Sequence, residues 1–470
     1  MTNEPSTTDI LIAGAGNAAM CAAISAAREG ATVTVVEAAP KDWRGGNTRH
    51  TRNCRVAHDQ AEGTLTGPYP VEEFREDLMR VTAGRTDETL ADLTLERSKE
   101  LTAFLQSAGV RFQPSLGGTL SLSRTNAFFL GGGRTMLNAL HLTAEALGVR
   151  VIYDARIENL DIRDGTFVAA DALLNWKSED SVRKRINARA FVACAGGFEA
   201  NLDWLEEAWG PAARNFLVRG TPYNTGELLK ELLASGVQAT GDPKQCHAVA
   251  IDGRAPKFDG GIVTRLDCVP LGIVLNANGE RFYDEGEDFW PKRYAIWGRL
   301  VADQPDQIGH VIVDSKVMDL FMPSVFPPER SDTIEGLAEK IGLDPARMAR
   351  TIASFNAACV PGYFNHQAHD DCRTDGLEPP KSHWARPIDM PPYYAYTLRP
   401  GITFTYLGVK VNETAGMVME DGTASPNMYA AGEIMAGNVL GQGYLAGIGM
   451  TIGSVFGRIA GETAARRLRN

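Results

Sequence analysis

The run Asp9-Ile10-Leu11-Ile12-Ala13-Gly14-Ala15-Gly16-Asn17-Ala18-Ala19 decides how the rest of the chain is read. Residues 9–13 are apolar and β-capable, residues 17–29 are alanine-rich, and residues 31–37 are β-branched, so the opening predicts strand, turn, helix, strand. The turn fits G-x-G-x-x-G/A: Gly14 makes the bend, Gly16 lets backbone approach a pyrophosphate, and Ala19 keeps helix close to strand. The helix N-terminus offers unpaired N–H groups and a positive dipole end to phosphates. Glu37 ends the second strand, where its carboxylate can accept hydrogen bonds from ribose hydroxyls. An ordinary glycine turn would not bring all these parts into register.

Outward from this unit, a helical stretch at 134–147, a strand at 149–153, a hairpin around Asp164-Gly165 and a strand at 190–194 are expected to extend the same sheet. From about Gly241 to Pro392 prolines, aromatics and polar turns dominate, with helical stretches at 294–302, 333–340 and 345–358. A strand at 428–431 and a long helix at 448–467 then return the chain to the first unit. The expected fold is α/β: a Rossmann-like dinucleotide-binding domain from residues 1–238 and 392–470, carrying an inserted α+β capping domain from 239–391.

A chain of 470 residues exceeds what one core usually supports, which suits two domains. Its 44% apolar and 22% charged residues are those of an ordinary globular protein. The net charge of -11 argues against a nucleic-acid partner, so an anionic substrate would have to be met by a local group of cations. Residues 1–9 are polar and lack the order of a secretory signal, and a cytoplasmic location is expected. Seven scattered cysteines without a C-x-x-C pair indicate neither a disulfide framework nor a metal or iron–sulfur site. Residues 443–461 are weakly polar but contain six glycines and Arg458, which favours a buried helix beside a ligand over a membrane span.

Three further segments resemble flavoproteins with two dinucleotide-binding domains, and they occur in that class's order. They are Arg44-Gly45-Gly46-Asn47-Thr48, Val192-Ala193-Cys194-Ala195-Gly196-Gly197, and Tyr429-Ala430-Ala431-Gly432-Glu433 with the glycine-rich run that follows. Gly45-Gly46-Asn47-Thr48, Asn276-Ala277-Asn278-Gly279-Glu280-Arg281 and Pro400-Gly401-Ile402 resemble more closely the fumarate reductase/succinate dehydrogenase flavoprotein family, in its fumarate reductase, ketosteroid dehydrogenase and tricarballylate dehydrogenase group. The resemblance covers nearly the whole chain. It implies FAD, held non-covalently, because Arg49-His50-Thr51 has the wrong spacing from Gly45-Gly46 for the covalent attachment loop of succinate dehydrogenases. The cofactor contacts it implies are Gly14, Gly16, Asn17, Ala18, Glu37, Ala38, Gly45, Gly46, Asn47, Thr48, Arg49, Ala155, Ala195, Gly196, Asn224, Thr225, Gly432, Glu433, Gly449, Met450 and Thr451. Glu433 would bind the ribityl chain, and the helix beginning near Gly449 would face the flavin pyrimidine.

The same resemblance implies a substrate site between flavin and cap, with His247, Thr264 and the proton-transferring Arg293. The family's relay Glu and Arg fall at Arg265 and Cys268, its histidine is replaced by Thr403-Phe404, and its clamping arginine reads Val439. The cations Arg49, His50, Arg52 and Arg55 either replace these as a clamp for several carboxylates or neutralise only the pyrophosphate or nearby acids. His247 either contacts substrate or is structural, and Tyr406 either lines the flavin or packs in the core. Thr48-Arg49-His50-Thr51-Arg52-Asn53 and Phe289-Trp290-Pro291-Lys292-Arg293-Tyr294 most resemble the tricarballylate dehydrogenases. The resemblance then implies desaturation of tricarballylate to cis-aconitate, with hydride to flavin N5 and a proton to a base near Arg293. A membrane-bound iron–sulfur protein would accept the electrons and hold the enzyme at the inner face of the membrane. Gly437-Asn438 with Gly443-Tyr444 keeps a ketosteroid dehydrogenase-like or fumarate reductase-like enzyme open, and a flavin-carrying electron-transfer subunit is the alternative of another class.

Overall fold

A computed structural model describes residues 6–114 and 122–469, leaving the polar start at 1–5 outside the described residues. Strand Ser6–Ala13 lies parallel between Val33–Val36 and Val182–Ala193, with Ala13 opposite both Val36 and Ala193. Ile10, Leu11 and Ile12 are fully buried, which is why this strand is a continuous apolar run and not an alternating one. The sheet has eight strands, ordered Gly416–Val418, Ala424–Ala430, Val182–Ala193, Ser6–Ala13, Val33–Val36, Arg150–Ile152 along its main path. Ala155–Arg163 and Thr166–Leu174 form the expected hairpin, whose Asp164 and Gly165 both have positive φ, and they join the sheet on Val182–Ala193.

Register decides where a ligand can sit. Ala193 pairs with both Ala13 and Ala430, so three parallel strands end at one edge and the glycine turns that follow them converge there.

The long helix Ile448–Arg469 packs along Asn17–Arg28. A Cβ at Gly457 would collide with the Ala18 carbonyl and one at Gly461 with the Ala22 carbonyl, so small residues let the two backbones touch. Asn17 Nδ2 donates to the Met450 carbonyl at 3.1 Å and to Ser454 Oγ at 2.8 Å. The amino-terminal glycine turn and the carboxy-terminal glycine stretch therefore lie together.

The second sheet is built around Tyr393–Thr405, which pairs with Leu217–Val218, Cys246–Asp252, Gly309–Asp314 and Glu329–Ser331, while Ile273–Asn276 extends it beyond Gly309–Asp314. Strands on both sides of positions 239 and 391 thus contribute to it. Helix Trp290–Ala302 lies against this sheet, with Trp290 and Trp297 buried among Val249, Ile251 and Leu398. It begins four residues before the expected 294, because Pro291 occupies the first turn, where a missing N–H costs no helical bond. Helices Ile334–Ile341 and Pro345–Ala358 cover Ile273 and Ile312 through Leu337, Ile352 and Phe355.

Candidate active site

One cavity runs from the converged glycine turns to the second sheet. At its near end Gly14 has φ +95°, and a Cβ there would strike the Cys194 carbonyl, so glycine is required. Gly16 caps helix Asn17–Arg28 without a side-chain hydrogen bond of its own, and the first helical N–H, on Asn17, donates to Thr48 Oγ1 at 3.0 Å. Glu37 is buried at the end of its strand; Oε2 accepts from Ala15 N at 2.7 Å and Oε1 from Ala39 N at 2.9 Å. Burial pushes its carboxyl up, against the backbone donors that stabilise the anion. Ala38, Ala155, Thr225, Trp176 and Tyr223 line this end, and Trp176 Nε1 donates to the Ala38 carbonyl at 2.7 Å.

In the middle, Gly45 and Gly46 take positive φ and Gly46–His50 forms a 3-10 turn. Asn47 ties three segments together: Nδ2 donates to Glu199 Oε1 (2.5 Å) and to the Thr403 carbonyl (2.6 Å), while Oδ1 accepts from Thr221 N (2.8 Å). Ala195, Gly196, Asn224, Gly432, Glu433, Gly449 and Met450 complete the wall. The glycine cradle, the capless helix end and the strand-terminal glutamate fit an elongated dinucleotide with a pyrophosphate near its centre.

The far end is cationic and aromatic. Arg52, Arg219, Arg265, His50, His247, Tyr294, Tyr444, Thr403 and Phe404 line it. Arg219 Nε donates to Thr403 Oγ1 at 3.0 Å, while its Nη1 is buried without a hydrogen-bond partner among the described residues. Burial, reinforced by the Arg265 charge, holds both Arg52 and Arg219 down to about 10. Arg265 is also buried, but the Asp267 carboxylate, at 2.7 and 2.9 Å, more than offsets this and keeps it above its ordinary value. Trp290 Nε1 donates to the same Asp267 at 2.6 Å. His247 stacks on Tyr444 at 3.7 Å and meets the Tyr294 ring edge-on. Burial, then Arg219 and Arg265, holds it well below the usual histidine range, so it is neutral. His50 Nε2 contacts Asp259 Oδ1 at the cavity rim, and burial, only partly countered by that carboxylate, holds the imidazole below the usual histidine range.

Most of the expected residues are brought together here, but six are not in the wall; one of them, Arg55, is buried, with Nε donating to the Ala446 carbonyl at 3.1 Å and Nη1 to the Tyr69 hydroxyl at 2.7 Å. Arg293 faces away, paired with Glu287 at 2.5 Å and with Tyr283, because successive helical residues point about 100° apart and Tyr294 takes the inward position. The Thr264 hydroxyl closes its own turn on the Gly261 carbonyl. Tyr406 is fully buried and bonds the Gly443 carbonyl, so it packs in the core. Arg49 stacks over Trp43 at 4.7 Å and bonds the Asp42 carbonyl. Thr451 turns into the protein and donates to the Arg55 carbonyl. Conversely, Arg219, Asp267 and Glu199 were not expected. Arg219 carries no motif spacing, and Arg265 had registered only as the loss of a family glutamate.

The glycine-cradled dinucleotide cavity opening onto a buried cationic pocket defines an FAD-dependent oxidoreductase. The chain matches the FAD binding domain family over residues 9–450 and belongs to it. It is 26% identical over 475 residues to the probable fumarate reductase Ifc3 of Shewanella frigidimarina, covering 98% of this chain and 75% of that protein. It is 25% identical over 503 residues to the digoxin reductase of Eggerthella lenta, covering 97% of this chain and 87% of that one. The structure of the 3-ketosteroid-Δ4-(5α)-dehydrogenase of Rhodococcus jostii in complex with 4-androstene-3,17-dione has the same fold, with TM-score 0.72 at 23% identity over 99% of this chain and 98% of that one.

Proposed function

We propose that the protein desaturates a CH–CH bond of a small polycarboxylate, converting tricarballylate to cis-aconitate. The observation that carries this reading is the buried cluster of Arg52, Arg219 and Arg265, in which Asp267 offsets Arg265 while Arg52 and Arg219 are held below their ordinary values. Two such guanidinium groups are costly to bury, and a ligand with at least two carboxylates relieves both through charge-assisted hydrogen bonds.

Bound FAD supplies the two-electron acceptor. The chain's residues do the rest. Arg52 and Arg219 hold the carboxylates and fix which C–H bonds face the cofactor end of the cavity. By withdrawing charge from a carboxylate they also make the adjacent C–H more acidic. Tyr294, Tyr444 and neutral His247 exclude water from this end. Since Arg293 is occupied by Glu287, His50, oriented by Asp259, takes the proton. The electrons pass to an external acceptor, for which a membrane-bound iron–sulfur protein is the expected type. Among the described residues no helix is long and apolar enough to cross a membrane.

Anaerobic mixing with tricarballylate should bleach the flavin and yield cis-aconitate; unchanged absorbance with tricarballylate and with a panel of di- and tricarboxylates would remove the assignment. The aromatic wall of His247, Tyr294, Tyr444 and Phe404 favours a second reading, a flat 3-ketosteroid substrate. Arg52→Ala separates the two, since it should cripple turnover of a polycarboxylate and leave that of a steroid within a few-fold.

A further inference from the structure

Two carboxyl groups meet behind the glycine cradle. Glu199 is fully buried, six residues past the end of Val182–Ala193, and Glu433 lines the cavity at 9% exposure. A Cβ at Gly197 would collide with oxygens of both, so the two side chains converge on one spot. Glu199 Oε1 accepts from Asn47 Nδ2 at 2.5 Å and from Asn224 Nδ2 at 2.6 Å, while Glu433 Oε1 accepts from Thr405 N at 2.8 Å. Glu199 Oε2 is buried without a hydrogen-bond partner among the described residues. The other titratable groups that feel the pair are Cys246 on the Glu199 side and Tyr406 and Tyr444 on the Glu433 side, all of them kept protonated by burial. No lysine or arginine is among the main influences on either carboxyl. Two adjacent carboxylates in a dry, cation-free place cannot both stay ionised, and one proton held between them removes the repulsion.

We propose that Glu199 is a cofactor-positioning residue that shares one proton with Glu433, and that this proton is taken up from solvent when FAD enters the cavity. Before FAD enters, Glu433 keeps 9% exposure to the cavity, so the pair, already raised by burial and by its own repulsion, gives up its shared proton at a lower pH than it does once FAD has removed that exposure. At a pH between these two titrations the pair binds a proton as FAD enters: doubly ionised apoprotein plus FAD plus H⁺ gives holoprotein with a singly charged pair. The shared proton fixes the Glu433 carboxyl toward the cofactor. Through Glu199 it also fixes Asn47 of the glycine loop and Asn224 beside Gly196. Because the pair binds protons more tightly in the holoprotein, FAD affinity is greatest at low pH and falls as pH rises between the apo and holo titrations, by up to about tenfold per pH unit. The inference rests on FAD binding and is independent of the substrate.

The test is calorimetric titration of FAD into the deflavinated full-length protein at about pH 8, in two buffers of different ionisation enthalpy, with FAD affinity followed by flavin fluorescence from about pH 6.5 to 9. The wild-type protein should take up as much as one proton per FAD and lose affinity as pH rises, while Glu199→Gln and Glu433→Gln should each abolish both the uptake and the slope. Absence of uptake in the wild type, or uptake undiminished in both variants, overturns the proposal. Should the variants fail to fold, infrared difference spectra of the wild type decide: a protonated-carboxyl band must appear on FAD binding, and its absence overturns the proposal.

Discussion

Arg219 illustrates a conflict between stability and function in a single side chain. Its depression from the ordinary arginine value to about 10 corresponds to on the order of 3 kcal/mol of unfavourable burial at neutral pH. The sign follows from linkage: a cation whose folded value lies below its unfolded value destabilises the fold at all pH below about 10, and the penalty fades only as pH rises above that. Arg219→Met, which keeps the apolar stem, should therefore leave Tm unchanged or raise it. It should also lower kcat/KM for a tricarboxylate by about ten- to a hundredfold, since a charge-assisted hydrogen bond contributes about 1.5–3 kcal/mol. A variant that melts lower and keeps its kcat/KM would reverse the argument. Nothing in the sequence announced this residue. Arg219 sits alone between Val218 and Gly220, and it reaches the site because Leu217–Val218 pairs with Gly401 and Ile402, nearly two hundred residues away.

Among the elements, the contact between Asn17–Arg28 and Ile448–Arg469 links the folding of the chain ends to the cofactor cradle. Gly461→Ala would ordinarily stabilise a helix by about 1 kcal/mol. Here the added methyl meets the Ala22 carbonyl, and overpacking of this kind costs about 1–3 kcal/mol, so the clash should win. Urea unfolding should show a lower midpoint, and FAD should bind more weakly because Asn17 and Met450 shift together. A midpoint equal to or above wild type would mean that the helices separate freely. The strand, turn, helix and Glu37 of this region were legible because they are local: period, turn chemistry and strand-end position are all written within thirty residues. The inward face of Trp290–Ala302 was not legible. The resemblance pointed to Arg293, but the neighbouring Tyr294 faces the cavity, and which of two adjacent helical residues points inward depends on how the helix lies against Cys246–Asp252.

At the scale of the whole molecule, the cationic pocket is assembled from segments that belong to different parts of the fold. Arg52 follows the glycine loop of the first sheet, Arg219 follows the short strand that starts the second, and Arg265 lies in the connection between Cys246–Asp252 and Ile273–Asn276. His50 and Arg49 reach from the glycine loop to Asp259 in that same connection. A ligand with two or three carboxylates can therefore bridge these segments, whereas a monocarboxylate satisfies one guanidinium and bridges nothing. Amide hydrogen exchange on the FAD-loaded protein should then slow across residues 253–267 and Trp290–Ala302 with saturating tricarballylate, and change little with a saturating monocarboxylate of similar length. Pro345–Ala358, packed on the far core of Ile273 and Ile312, provides the internal reference and should exchange alike in both. Equal protection by the two ligands would mean that filling the cavity, and not bridging its charges, is what orders the site.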